Sequence, residues 1–106
     1  MDDSRGCTGF DWDAGNAEKN WNRHRVSQSE CEQAFFNRPL VVKEDVLHSE
    51  DEPRFYALGQ TDGGRRLFLV YTVRGELIRV ISAREMTPRE RRSYERVRAQ
   101  ELEDDP

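Results

Sequence analysis

The sequence predicts an α+β fold in which helices pack on an antiparallel sheet. Two observations indicate this class. Two helical segments, each preceded by a capping residue, lie before residue 37, and three apolar segments follow between residues 54 and 83, separated only by short glycine-containing turns. With a short strand before these segments and a helix after them, the predicted order is α-α-β-β-β-β-α: two N-terminal helices, an antiparallel β-meander sheet and a C-terminal helix.

The first expected element is Phe10–Asp13, whose alternation of apolar and polar residues predicts either a short strand or an aromatic anchor. Asp13 is a suitable N-cap for a helix from Ala14 to about His24. Three residues at helical spacing carry that pattern, namely Ala17, Trp21 and His24.

The second helix is predicted to start at Ser27-Gln28-Ser29-Glu30, a capping box in which the first and last side chains satisfy each other's backbone amides. It is expected to reach about Phe36, because Asn37-Arg38-Pro39 cannot continue a helix. The residues expected to face inward are Cys31, Ala34 and Phe35.

Four strand segments follow, and tight turns join the last three into a meander. The segments are Leu40–Lys43, Arg54–Gln60, Arg66–Val73 and Glu76–Ala83. An acidic loop from Glu44 to Pro53, which contains His48, separates the first two. A second capping box, Thr87-Pro88-Arg89-Glu90, then starts a helix that is predicted to end at about Gln100.

The last hairpin places a charge, Arg79, within an apolar strand. With Arg74-Gly75 as a two-residue turn, Val70 faces Arg79. One face of the hairpin then holds Phe68, Val70, Thr72, Leu77, Arg79 and Ile81, and the other holds Leu67, Leu69, Tyr71, Ile78, Val80 and Ser82. A half-buried charge is costly unless it is paired. Two interpretations stay open: an ion pair with a carboxylate such as Glu52 or Glu85, or a phosphate-binding arginine on which Arg74 and Arg84 converge.

Length and composition fit one domain, with 106 residues and a net charge of −4. We expect a flexible leader over residues 1–9, a single domain over 10–100 and an acidic tail over 101–106. Apolar runs are too short for a membrane span, the start lacks the pattern of a secretion signal, and two cysteines make no disulfide framework. These features predict a soluble, cytoplasmic protein.

Basic residues concentrate in residues 54–98, where eleven arginines accompany five acidic residues. Arginine binds phosphate and carboxylate groups bidentately, so this part of the chain suggests anion recognition. The solvated surface of an arginine-rich protein would give the same pattern. The overall acidity argues against non-specific nucleic-acid binding driven by net charge.

Two histidines, His24 and His48, are the side chains that ordinarily titrate nearest to neutrality. Both lie at element ends or in loops, so each is either an exposed or capping residue or an acid–base catalyst. Together with Cys7 and Cys31 they have no recognisable zinc-ligand spacing, and the common nucleotide-binding and hydrolase motifs are absent from the sequence. We therefore expect no metal and no cofactor.

Several separated segments keep a characteristic order and spacing. They are Phe10-Asp11-Trp12-Asp13 with Asn20, Arg23-His24-x-Val26-Ser27, Ala34-Phe35, Asp45-x-x-His48-Ser49-x-x-Glu52-x-Arg54, Gly64-Arg65, Tyr71-Thr72-x-Arg74, Arg79-Val80-Ile81-Ser82-Ala83-Arg84 and Glu90-Arg91-x-x-Tyr94-Glu95. Together, over about residues 10–95, they resemble the BrnT toxin family of bacterial type II toxin–antitoxin systems. The Ser82-Ala83-Arg84 strand end and the His48-Ser49 loop are the most distinctive.

The resemblance implies a RelE-like ribonuclease fold, growth arrest through RNA cleavage, and neutralisation by a BrnA-like antitoxin. That antitoxin carries a ribbon-helix-helix DNA-binding part, so operator DNA is contacted only through the complex, which represses its own promoter. One departure is visible, because the family usually has Lys-His-Gly where this chain has Arg23-His24-Arg25. Glycine suits a left-handed turn between two helices better than arginine does.

Metal-free RNA cleavage needs a base for the 2′-hydroxyl, cations at the phosphorane and an acid for the 5′-oxygen. We assign the scissile phosphate to Arg79 and Arg84, with Arg74 and Arg54 in support. A 2′,3′-cyclic phosphate formed in EDTA is the expected product.

We choose the candidate proton-transfer groups by the pKa range of their side chains. His24 is the first candidate for the acid or base, and His48 is the second. Glu52 either orients an arginine or, if burial raises its pKa, acts as the base. Further RNA-binding candidates are Arg23, His48 and Arg65.

A non-enzymatic alternative stays open. In it the toxin chemistry is degenerate, and the arginine-rich strand and helix bind an acidic partner or DNA within an autoregulatory repressor complex. The net charge and Arg25 favour this alternative, whereas the set of His24, Arg79 and Arg84 favours the nuclease.

Overall fold

The computed structural model describes residues 7–104 and confirms the predicted α+β class. The helices are α1 (Ala14–His24), α2 (Gln28–Phe36) and α3 (Pro88–Asp104). The strands are β1 (Gly9–Phe10), β2 (Val41–Glu44), β3 (Arg54–Gln60), β4 (Arg66–Arg74) and β5 (Leu77–Glu85), and a 3₁₀ turn spans Val46–His48. Within the described residues no helix is both long and apolar enough to cross a bilayer.

The sheet has the strand order β1-β5-β4-β3-β2. Strands β2 to β5 are antiparallel neighbours, as the meander predicts, whereas β1 lies parallel to β5. The segment around Phe10 is therefore a strand, although a shorter one than expected, and backbone bonds from Thr8 to Glu76 and from Asp11 to Ile78 extend its pairing. Residues 1–6 of the predicted leader lie outside the described part, and Gly9 belongs to β1.

The turn between β4 and β5 lies one residue later than predicted. Arg74 pairs with Leu77, so the two turn residues are Gly75 and Glu76 rather than Arg74 and Gly75. Gly75 has φ +62, and a positive φ at the first turn residue is what a type II′ hairpin requires. As a consequence Arg79 faces Thr72 and not Val70.

Strand β5 contains a bulge that decides which way its arginines point. Val70 pairs with Ser82 and Tyr71 pairs with Val80, so Ile81 is the extra residue. Side chains alternate along a strand, and residues five apart normally lie on opposite faces. The bulge places Arg79 and Arg84 on the same face, and it moves Ser82 to the face opposite the one predicted.

The core lies between the sheet and the two N-terminal helices. It comprises Val26, Cys31, Ala34, Phe55, Ala57, Leu67, Leu69, Tyr71, Ile78, Val80 and Ala83. The inward positions predicted for α2 are confirmed, since Cys31 and Ala34 are fully buried and Phe35 packs against the cluster. Burial raises the pKa of the Cys31 thiol to about 12, so the thiol stays protonated and behaves as an apolar group.

The inward face of α1 differs from the predicted pattern. Trp21 is 47% exposed, whereas Asn16 and Asn20 are buried. The reason is that α1 covers the free edge of β5: the Asn16 amide donates to the carbonyl of Val80, and the Asn20 side-chain oxygen accepts from the amide of Ala83. Two asparagines four residues apart thus replace a missing neighbouring strand.

Helix α3 starts as predicted and continues further. Thr87 and Glu90 form the expected capping box. The buried Tyr94 hydroxyl donates to the carbonyl of Pro39 over 2.8 Å, which ties α3 to the end of α2. The helix extends through Asp104 rather than ending at about Gln100, so most of the predicted acidic tail is helical. Residues 105–106 of that tail lie outside the described part.

The C-cap of α1 is Arg25, in the left-handed conformation at φ 53 and ψ 41. This confirms the expectation that a glycine-like turn is occupied by arginine here. The Arg25 guanidinium lies 5.4 Å from the centre of the Trp21 ring, a favourable contact that offsets part of the backbone cost.

Replacement of Arg25 by glycine relieves this backbone cost. We expect Arg25→Gly to be about 1 kcal/mol more stable than Arg25→Ala, because both variants lose the Trp21 contact and only glycine is unstrained at this φ. Urea unfolding of the two variants measures the difference. Equal midpoints would contradict the prediction.

Candidate active site

A cleft of about 400 Å³ opens on the sheet face that points away from α1 and α2. We call it the His48 cleft. It lies between the loop before β3 and the adjacent ends of β3, β4 and β5. Its lining residues are Leu47, His48, Glu50, Asp51, Glu52, Pro53, Arg54, Thr72 and Ile81. Three residues of the predicted site, His48, Glu52 and Arg54, line the cleft. Two more lie next to lining residues, because Arg74 is bonded to Glu52 and Arg79 pairs with Thr72.

Strand register brings the cations together. Arg54 pairs with Thr72, and Thr72 pairs with Arg79, so two arginines flank one threonine on the same face. Strands are about 4.8 Å apart, which puts the backbones of Arg54 and Arg79 about 10 Å apart. Thr72 is 2% exposed and its hydroxyl donates to the carbonyl of Pro53 over 2.6 Å, so the loop is fixed to the sheet.

His48 is held by its own loop. Its Nδ1 lies 2.8 Å from Asp45 Oδ2, and 62% of its side chain is exposed. The Ser49 hydroxyl donates to the carbonyl of Asp45 and accepts from the amide of Arg54. Because Asp45 occupies Nδ1, Nε2 is the ring nitrogen that remains for contact with a substrate. The arrangement can orient a proton-transfer group.

Glu52 is bonded to an arginine at the edge of the cleft. Its carboxylate accepts from Arg74 Nε and Nη2 at 2.8 and 3.0 Å. The bond from Arg74, with added attraction to Arg79 and Arg54, lowers the pKa of Glu52 below its ordinary value. The condition for a base, a pKa raised by burial, is therefore not met, and the orienting role is the one that the geometry allows.

The carboxylate partners of Arg79 come from the N-terminal segment. Its guanidinium contacts Asp13 Oδ2 at 2.7 Å and Asp11 Oδ1 at 3.5 Å. The suggested partners Glu52 and Glu85 are wrong, because Glu52 is held by Arg74 and Glu85 by Arg65. The Asp13 carboxylate is 55% exposed, so an incoming phosphate can compete for Arg79.

Asp13 combines two tasks. It accepts from the amide of Asn16 as the N-cap of α1, and it pairs with Arg79. The bond from Asn16, followed by that from Arg79, lowers the pKa of Asp13. The start of α1 is therefore fixed next to the His48 cleft.

His24, the first acid–base candidate, lies outside the cleft. It is the exposed last residue of α1, and the 11 residues of that helix span about 16 Å from the Asp13 end. Its carbonyl accepts from Arg65, which also contacts Glu30 and Glu85. Arg65 thus ties both N-terminal helices to the sheet end, while Arg23 lies exposed on α1.

The structure places Arg84 and Arg79, both assigned to the scissile phosphate, on the same face of β5 but at separate positions along it. Their pairing partners on β4, Phe68 and Thr72, are four positions apart, which corresponds to about 13 Å. Arg84 instead makes two bonds to Glu90, at 2.8 and 3.0 Å, and covers the ring of Phe68. Arg74 does lie beside Arg79, as predicted.

Two site residues had no predicted role, Asp45 and Thr72. Asp45 precedes His48 by three residues, a spacing that indicates a local side-chain bond. Thr72 is a polar residue within an apolar strand, and its position opposite Arg79 emerges only from the true register. Among the described residues no group of three or more metal-ligating side chains is gathered.

The chain is similar to known proteins both in sequence and in fold. A family model described as "Ribonuclease toxin, BrnT, of type II toxin-antitoxin system" matches residues 12–90, which include the whole His48 cleft. The crystal structure of the Brucella abortus ribonuclease toxin BrnT, solved at 1.1 Å, superposes with a TM-score of 0.53 at 18% identity. The match covers 74% of this chain and 96% of that one, and it shows a shared fold. No curated protein matches the sequence.

Proposed function

This chain belongs to the BrnT family of ribonuclease toxins of type II toxin–antitoxin systems, and we propose that it is a metal-independent endoribonuclease that arrests growth. The observation that carries this proposal is the row Arg54–Thr72–Arg79 beside a histidine fixed by a carboxylate. Two cations on rigid strands, next to an oriented proton-transfer group, suit phosphodiester cleavage.

In the proposed reaction the 2′-oxygen attacks phosphorus and the 5′-oxygen leaves, which produces a 2′,3′-cyclic phosphate. Arg54 and Arg79 bind the non-bridging oxygens, whose negative charge grows in the transition state. Arg74, held by Glu52, adds a third positive charge at the rim. Glu52 is thus a positioning residue.

His48 moves the proton at one of the two reacting oxygens through Nε2. The attacking and leaving oxygens lie on opposite sides of phosphorus during an in-line displacement. One histidine therefore reaches only one of them, and solvent in the open cleft exchanges the proton of the other oxygen. Asp45 keeps the ring oriented through its contact with Nδ1. The remaining site candidates lie away from the scissile phosphate in this proposal, where they either contact flanking RNA or stabilise the fold. They are Arg23, His24, Arg65 and Arg84.

Cleavage of RNA by the purified protein in EDTA tests the proposed reaction. We expect fragments whose upstream ends carry 2′,3′-cyclic phosphates, because the 2′-hydroxyl of the substrate is the nucleophile. Mass spectrometry of a short synthetic RNA identifies these ends. Cleavage that is lost in EDTA and restored by a divalent metal would overturn the metal-independent mechanism.

Family membership implies an antitoxin partner and an RNA substrate. We propose that the antitoxin is BrnA-like, with a ribbon-helix-helix part, and that operator DNA is contacted only through the complex. We propose that the toxin acts in the cytoplasm, since its expected target is RNA.

A second candidate function is a catalytically degenerate subunit of the repressor complex. It is favoured by the ion pairs that already neutralise Arg74 and Arg79 in the absence of RNA. Expression without antitoxin separates the two functions, since only an active ribonuclease degrades RNA and arrests growth.

A further inference from the structure

A second feature lies on the same sheet face as the His48 cleft, towards α3. The rings of Tyr56 and Phe68 are stacked, with centroids 5.9 Å apart and planes 30° apart. On the other side of Phe68 the Arg84 guanidinium lies 4.1 Å from the ring centre. Three strands thus contribute one continuous layer of flat side chains, which we call the Tyr56 stack.

A groove of about 110 Å³ borders the Tyr56 stack. Lys43, which pairs with Tyr56 across β2 and β3, lies exposed at its rim. Glu90 also lines the groove, but its charge is compensated by two bonds from Arg84, which lower its pKa. The groove therefore offers aromatic rings flanked by a lysine and a paired arginine, and its size suits one flat ring.

The groove lies on the same sheet face as the His48 cleft and beside it along β3. Tyr56 follows Arg54 by two residues on β3, so both side chains lie on one face about 7 Å apart. Val70, which pairs with Tyr56, lies on the same sheet face two residues before Thr72. A strand of RNA held at Arg54 and Arg79 can extend directly over the Tyr56 stack.

We propose that the Tyr56 groove holds an unpaired base of the RNA next to the scissile phosphate. This inference rests on the ribonuclease function proposed above. The base stacks on the ring of Tyr56, which Phe68 and Arg84 support from behind, and Lys43 contacts a flanking phosphate. Aromatic rings beside cations are the usual means of binding single-stranded nucleic acid, because every base has a face that stacks. The cations at the groove and its position beside the cleft favour RNA over a protein segment.

Removal of the Tyr56 ring tests the groove directly. We expect Tyr56→Ala to raise the KM for a short single-stranded RNA about tenfold with little change in kcat, and Tyr56→Phe to keep the wild-type KM. Fluorescence anisotropy with a DNA oligonucleotide of the same sequence, which lacks the 2′-hydroxyl, measures binding without cleavage. The same loss of affinity is expected there. Phe36→Ala, which removes a ring that is 77% exposed on α2, is the matched control and should bind normally.

Lys43→Gln supplies an independent variant at an exposed position. It should weaken oligonucleotide binding. The slope of log binding constant against log salt concentration should become less negative by about 0.7, the value for one phosphate contact to a single strand. Wild-type binding by both Tyr56→Ala and Lys43→Gln would overturn the groove proposal. So would a loss of antitoxin binding in Tyr56→Ala with normal oligonucleotide binding, because the groove would then serve a protein.

The two proposals fail separately. If the wild-type protein binds the oligonucleotide through Tyr56 but cleaves no RNA, the ribonuclease function fails and the groove stands. If it cleaves RNA with the same KM in Tyr56→Ala, the groove fails and the ribonuclease function stands.

Discussion

Replacement of Arg79 by alanine is expected to lower RNA cleavage about 10²- to 10³-fold and to abolish growth arrest. Arg79 is positioned by strand pairing with Thr72, and 19% of its side chain remains exposed to a substrate. Removing one such preformed cation from a developing charge typically causes a loss of this size. Arg79→Lys should be intermediate, because lysine keeps the charge but not the bidentate geometry.

Cleavage rates and growth after induction measure the effect of Arg79→Ala. The fold should persist, because Asp13 still caps α1 when its arginine partner is gone. Binding to the antitoxin should also remain largely intact. Arg92→Ala, an exposed arginine of α3, is the control for loss of positive charge alone. An Arg79→Ala protein that still arrests growth would move the active site elsewhere, and a fall in antitoxin affinity itself would favour the binding-module alternative.

Truncation of Leu69 is expected to have the largest effect on stability, a loss of about 2–5 kcal/mol. Leu69 is fully buried at the centre of β4. Its two cross-strand neighbours, Ala57 and Ala83, are both small and fully buried, so neither can fill the space that Leu69→Ala leaves. The cost should therefore fall in the upper part of the range.

Thermal and urea unfolding measure the stability of Leu69→Ala. A fall in Tm of about 10 °C or more corresponds to the expected loss. Leu47→Ala is the matched control, because the same atoms are removed from a side chain that is 84% exposed, and its stability should change by less than about 0.5 kcal/mol. Similar losses in both variants would contradict the assignment of Leu69 to the core.

Local signals in the sequence were sufficient for most of the fold. The caps at Asp13, Ser27 and Thr87 depend on residues three positions away, and each is present in the structure. The hairpin turn was placed one residue early because Gly75 fits either of two turn positions, and only the pairing of Arg74 with Leu77 decides between them. The bulge at Ile81 depends on how β5 meets β4, so no local pattern predicts it.

The sequence predicted only those parts of the candidate site that depend on residues close together in the chain. His48, Glu52 and Arg54 lie close in the sequence, and they meet in the cleft. The pairing of Arg79 with Asp13 joins residues 66 positions apart, and it depends on α1 covering the edge of β5. That edge contact also sets the direction of α1, which carries His24 away from the arginines. The position of His24 relative to the arginines therefore could not be predicted from the residue pattern of α1 alone.

We propose that the His48 cleft, and not the end of α1, carries out RNA cleavage. Rates of RNA cleavage in EDTA by His48→Ala and His24→Ala, compared with the wild-type protein, test it most directly. We expect His48→Ala to lose about 10²- to 10⁴-fold, as for removal of a general acid or base, and His24→Ala to retain a rate near that of the wild type. Loss of activity in His24→Ala with a normal rate in His48→Ala would contradict the assignment and place the chemistry at the end of α1.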